Sequence, residues 1–177
     1  MLASAALRLK RPHRRGRVGR VSKYLPGAAV LLWLGVMAFF AFMVAPAAFS
    51  ALDRPSAGRL VTALLPAVYR TGLVLGALAL AGVLVRGRWG RAGARLDWLA
   101  LGLLLVMLAL TSYAMLSLMP RTEAAYVAMG GAGVATGAAA PDARTFAQLH
   151  HESRVANGVV LVAGVLFLVV EAVRARR

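Results

Sequence analysis

The chain has 177 residues, 60% of them hydrophobic and 15% charged, with a mean hydropathy of +0.74. A soluble domain of this size could not bury so much apolar surface, so the composition points to an integral membrane protein. The net charge is +15, and with no cysteine present disulfides, thiolate metal sites and cysteine nucleophiles are excluded.

Residues 1–27 form a basic tail carrying Arg8, Lys10, Arg11, Arg14, Arg15, Arg17, Arg20 and Lys23 and no acid. Interleaved aromatics that would stack on bases are missing, so no nucleic-acid partner is expected. The tail instead orients the first span and rests on anionic headgroups, at about 1 kcal/mol per basic residue close to the surface.

Four apolar runs follow, at 28–49, 64–85, 99–119 and 155–173. Each is near the roughly 20 residues needed to cross roughly 30 Å of hydrocarbon. The first ends in "APAAFSA", which has the small residues of a signal-peptidase site, but the apolar run is too long for a signal peptide and reads as an uncleaved span. Pro46, Asp53 and Pro55 punctuate the first connection and predict a compact turn or a short surface helix starting near Pro55. The second connection, "RGRWGRAGARLDW", is a tight turn flanked by the headgroup-level anchors Trp89 and Trp98, with Asp97 suiting the positive end of the next helix.

The third connection, 120–154, is an extracytoplasmic loop running into the fourth helix. Its middle, "AMGGAGVATGAAAP", is too poor in large apolar residues to pack and reads as mobile. Residues 174–177 form a second basic tail. Fifteen basic residues fall on the side of both termini and the second connection, against five on the other side. By the positive-inside bias both termini are cytoplasmic, in a bacterial-type inner membrane. The expected fold is all-α, a polytopic four-helix bundle, and no internal repeat of useful strength is visible.

Pro141 and Asp142 predict the start of the fourth helix, with Asp142 as its N-cap, and the helix runs about 31 residues from Ala143 to Val173, or about 46 Å, so that it projects beyond the bilayer. On it, Phe146, His150, Ser153, Asn157, Val160 and Gly164 share one helical face, which predicts an inward polar seam of His150, Ser153 and Asn157. His151, Glu152 and Arg154 point elsewhere.

The fragments "FMVAPAAF", "LLPAVY", Pro120 at the end of span three and "F..LH..S...N" together resemble the four-helix membrane family called transmembrane protein 205, over roughly residues 28–173. Glu152 and His151 depart from that pattern after the histidine. The resemblance implies a four-span architecture and these motif positions; it implies no reaction.

Arg70 lies inside span two, where a charge faces a partner, a cavity or the interface. It either snorkels outward or pairs with Glu123 or Glu152 or an anion near His150, with Ser112, Tyr113 and Tyr69 as candidate members of one polar cluster, Tyr69 serving equally well as an aromatic of the interfacial belt. Helix packing is assigned to Gly72 and Gly76, which form a GxxxG pair, and to Pro46 and Pro66. That glycine face serves either the bundle itself or a homodimer.

His150 and His151 diverge by about 100° on a helix and cannot easily share one ion. A soft site of His150 with Met115, Met119 or Met43 would suit Cu(I), whereas methionines in apolar spans ordinarily pack. Ser153 and His150 lie on one helix without a nucleophile elbow, so no hydrolase is expected. The leading reading is therefore a structural or accessory membrane protein that is not an enzyme and holds no cofactor, with the bilayer and a homodimer or larger membrane complex as partners. The alternatives are a transporter-like or small-ligand module, and a copper or haem protein.

Overall fold

The computed structural model describes residues 14–87, 94–128 and 140–176, and every regular element within them is helical. Helix α1 (Arg14–Phe39) passes through a π-helical segment, Phe40–Val44, into α2 (Ala45–Ala51), and α3 (Arg54–Arg86) follows after a two-residue break. Helix α4 (Ala94–Tyr113) passes through a second π-helical segment, Ala114–Leu118, into α5 (Met119–Ala128), and α6 (Ala140–Ala175) ends the fold. Four stretches are long and apolar enough to cross a membrane: Tyr24–Ala51, Arg54–Arg86, Ala94–Val127 and Thr145–Ala175. They mark a multi-pass all-α membrane protein, as the composition implied.

The helices close into a ring. Helix α1 packs on α3, α3 on α4, α4 on α6, and α6 back on α1, so that α3 and α6 face each other across one diagonal. The main core lies between them, around Val30, Trp33, Leu104, Met107, Val160 and Phe167. A second, smaller core gathers Tyr69, Ala114, Leu118, Leu149 and Ala156 toward the end that carries Pro46 and Pro120.

Several boundaries differ from the sequence expectation. Pro120 does not end its helix, which continues to Ala128. A proline lacks the N–H of its turn, and its ring crowds the carbonyl four residues back. In both places the residue just before the proline bonds one residue further back than in an α-helix, Ala45 N–H to the Phe40 carbonyl and Met119 N–H to the Ala114 carbonyl. The widened turn moves the crowded carbonyl away, so the chain carries its proline without breaking.

The helix starting near Pro55 is not a short surface piece, since it runs 33 residues into the second span. Asp53 caps it by accepting a 3.1 Å hydrogen bond from the Ser56 N–H. Its hydrogen bonds from Ser56 hold the Asp53 carboxyl below the ordinary aspartate value. The cap is therefore complete above the unfolded pKa and is lost as pH falls through the depressed folded value.

Helix α6 begins at Ala140, so Asp142 sits inside its first turn and is not the N-cap residue, and its 36 residues rise about 54 Å. The helical part of α1 already starts at Arg14, within the stretch read as a tail. The first 13 residues, Trp89, and residues 129–139 of the connection read as mobile lie outside the described residues.

The structure also contains a repeat that the residue identities hide. Pro26, Val30, Trp33 and Met37 are buried in α1, and the residues 74 positions on, Ala100, Leu104, Met107 and Thr111, are buried in α4. The same offset relates the two π-helical segments and Pro46 to Pro120. Gly72, Gly76, Ala79 and Val83 of α3 likewise correspond, 84 positions on, to the buried Ala156, Val160, Ala163 and Phe167 of α6. The bundle is thus two helical hairpins of one plan, α1–α2–α3 and α4–α5–α6, joined side by side.

Gly72 and Gly76 serve the chain's own packing. A Cβ on Gly72 would collide with the indole of Trp33, and one on Gly76 would come within 2.5 Å of Leu108 Cδ2 and 2.8 Å of Trp33 Cζ3. The buried indole takes the space these glycines leave. Pro66 is accommodated inside α3, and Pro46 is exposed beyond the first π-helical segment. Gly76→Val is expected to lower the stability of the detergent-solubilised bundle by about 1 to 3 kcal/mol through overpacking. Gly102→Ala, where nothing lies within 4 Å, should leave the thermal midpoint unchanged or slightly raised.

Candidate functional site

The polar residues of the proline end do not form the inward seam predicted for them. The buried face of α6 is Leu149, Ala156, Val160, Ala163, Phe167 and Val170, and His150 is exposed one residue past Leu149. An apolar side chain takes the inward position because an imidazole there would give up water without a partner. His150 stacks on Phe146, with centroids 6.1 Å apart and planes 9° apart, and Phe146 in turn meets Tyr126 of α5 at 6.1 Å. His151 is exposed as well.

Of the predicted seam, Asn157 makes the inward contact. Its Nδ2 donates to the Tyr69 hydroxyl at 3.3 Å, across the diagonal between α6 and α3. Tyr69 is buried in the second core, and Ser153 is partly buried one turn from Asn157. Met115 and Met119 pack against the same core, as methionines ordinarily do in such a setting. Among the described residues no cluster of three histidine or acidic side chains is arranged to hold a metal ion, and His150 faces away from both methionines' core. Arg70, Glu123 and Glu152 are all exposed, and among the described residues no ion pair joins them.

The concentrated charge lies at the opposite end. Arg86, the last residue of α3, pairs with Glu171 of α6, and their side chains retain 7% and 12% of their exposure. One turn further along α6, Arg174 Nε donates to Asp97 Oδ1 of α4 at 3.0 Å. Asp97 is buried in the first turn of its helix, where the positive helix end favours a carboxylate. Glu171 and Arg174 stand i, i+3 on α6, so the last turns of that helix hold α3 with one hand and α4 with the other. Two positive and two negative charges compensate within the set.

The two ties across the α3–α6 diagonal run in register. Arg86 follows Tyr69 by 17 residues and Glu171 follows Asn157 by 14, rises of about 25 and about 21 Å along helices that run in the same direction. One diagonal is therefore fastened near both ends, by a neutral hydrogen bond at the proline end and by a charged pair at the arginine-rich end.

A family model described as a domain of unknown function, DUF4149, matches residues 28–131. The chain belongs to this family. The match to the DUF4149 domain includes Arg86 and Asp97 and stops before α6, which supplies Glu171 and Arg174. It supports an uncharacterised family and does not itself carry the likeness to transmembrane protein 205. No curated protein and no solved structure matches the chain.

Sequence reasoning missed the ionic set. Arg86 and Arg174 were counted toward topology, Asp97 was assigned to the helix dipole, and Glu171 had no role. The signal was available, because of the 6 acidic residues only Asp97 and Glu171 lie at the arginine-rich end. Glu171→Gln and Asp97→Asn should each destabilise the bundle strongly, by about 3 to 5 kcal/mol where the stranded partner stays buried. His150→Ala should stay within about 0.5 kcal/mol of wild type in the same thermal assay, as exposed sites do.

Proposed function

We propose that the chain is a structural or accessory protein of a bacterial-type inner membrane, with both termini and the arginine-rich connection on the cytoplasmic side. The observation that carries the reading is the ionic set at that end. Its four charged groups face one another and tie three helices, a use of charge that makes a firm scaffold and leaves α3, α4 and α6 little freedom to rock. Alternating-access carriers need such freedom between their repeats. The fifteen-to-five division of basic residues supports the orientation. The motifs that resemble transmembrane protein 205 agree with an architectural role, since they bring no reaction with them.

Affinity purification from membranes in a mild detergent, with absorbance and metal analysis, tests the role. A stoichiometric membrane partner is the expected outcome. A solitary chain with a Soret band, bound copper or a solute-dependent thermal shift would overturn it. The orientation is tested on the naturally cysteine-free chain. Ser50→Cys should react with a membrane-impermeant maleimide in intact cells and Gly90→Cys only after permeabilisation; the reverse pattern would invert the topology.

A further inference from the structure

The four transmembrane helices are longer than a bilayer requires, and the surface of the bundle records where the bilayer stops. On α6 the exposed residues from Thr145 to Arg154 include Gln148, His150, His151, Glu152 and Arg154, whereas those from Val155 to Val169 are all apolar. On α3 the same change occurs at Arg70. There the change is in charge: Arg54, Arg59 and Arg70 are exposed up to that point, beside the exposed Leu60 and Leu64, and from Val74 to Val85 no charged side chain is.

These breaks lie at one height. The Tyr69–Asn157 hydrogen bond sets Arg70 and Arg154 within about one turn of each other, on opposite sides of the bundle. Gly76 faces both Trp33 and Leu108, so heights can be counted along each helix from that common level. Counting outward, Pro66, Met43 and Pro120 fall 10, 10 and 12 residues away. Pro66 in turn stands 20 residues from Arg86, about 30 Å, which is the thickness of a hydrocarbon core. Arg70 lies one turn inside this plane, within reach of it by snorkelling, and Arg154 lies at it. The two π-helical segments, with their displaced carbonyls, lie at this level too, where water can reach them.

We infer that Arg70 and Arg154 bind the phosphates of lipid headgroups and fix the bilayer boundary at the level of Pro66, and that the bundle beyond it is a helical cap standing in water. The inference rests on the chain crossing a bilayer and is independent of its orientation or accessory role. The cap holds α2, the first three turns of α3, α5 and the start of α6, and rises about 18 Å from Pro66 to Arg54. Arg70 and Arg154 are exposed on two helices that lie across a diagonal of the bundle and have no ion pair with another described residue, which suits two separate lipid phosphates rather than one enclosed anion.

Nitroxide labels on single cysteines test the boundary in the full chain reconstituted in phosphatidylethanolamine–phosphatidylglycerol vesicles. Val74→Cys and Val162→Cys should be more accessible to oxygen than to a water-soluble nickel chelate, and Leu60→Cys and Gln148→Cys the reverse. Oxygen-dominated labels at 60 and 148 would overturn the cap. Arg70→Leu with Arg154→Leu, or transfer of the unsubstituted arginine protein to phosphate-free galactolipid vesicles, should move the crossover by a turn or more, and added inorganic phosphate should not restore it. A crossover that stays in place in both would overturn the phosphate contacts, and restoration by inorganic phosphate would overturn the lipid as their source.

Discussion

A carboxylate on the inner face of an apolar helix must be neutralised or it will not be tolerated, and Glu171 is such a group. Leaving it ionised and unpaired would cost several kcal/mol, and Arg86 removes that cost only if α3 and α6 meet across the diagonal of the bundle. The α1–α3 and α4–α6 hairpins can each form from sequence neighbours. What commits one hairpin to the other is a contact between groups 85 residues apart, while Arg174, reaching from α6 to Asp97, ties α4 and α6 within the second hairpin. Ion pairs of this kind give little net stability over apolar packing, but they penalise wrong registers heavily, and register is what two similar hairpins need to have specified.

The rest of the bundle fits around that constraint. Small residues on α3, with Gly72, Gly76 and Gly82 facing Trp33, Leu108 and Pro26, allow the close approach that brings Arg86 within reach of α6. On α6, Gly164 receives Leu34 in the same way. At the far end the Tyr69–Asn157 bond repeats the diagonal tie without charge, in a core of Leu118, Leu149 and Ala156. The prolines that follow each π-helical segment stand in the continuations of α1 and α4, which form the other diagonal.

Much of this was legible in the sequence. Span number and helical class follow from apolar run length, the excess length of the last helix follows from the helix start at Pro141 and Asp142 well before its apolar run, and Asn157 and Tyr69 both belong to the candidate polar seam. The phase of α6 was not legible, because His150 and Leu149 are neighbours and only packing decides which of them turns inward. Pro120 read as the end of its span, since a sequence shows the missing N–H but not the extra residue per turn that absorbs it. The repeat was hidden because burial recurs while identity does not, with Trp33 answered by Met107 and Gly76 by Val160. The ionic set was hidden for another reason. Positive-inside counting sums arginines by side and has no place for the two, Arg86 and Arg174, whose charge is spent within the protein.

The most direct measurement is a double-mutant cycle on Arg86 and Glu171, with methionine at each position singly and together and thermal stability read on the full chain in lipid nanodiscs. If the pair specifies how the hairpins join, each single variant should be much less stable than wild type, and the double variant should recover, with a coupling energy of about 1 to 3 kcal/mol. A coupling energy near zero, with the two single effects simply adding, would contradict a bundle that depends on this contact.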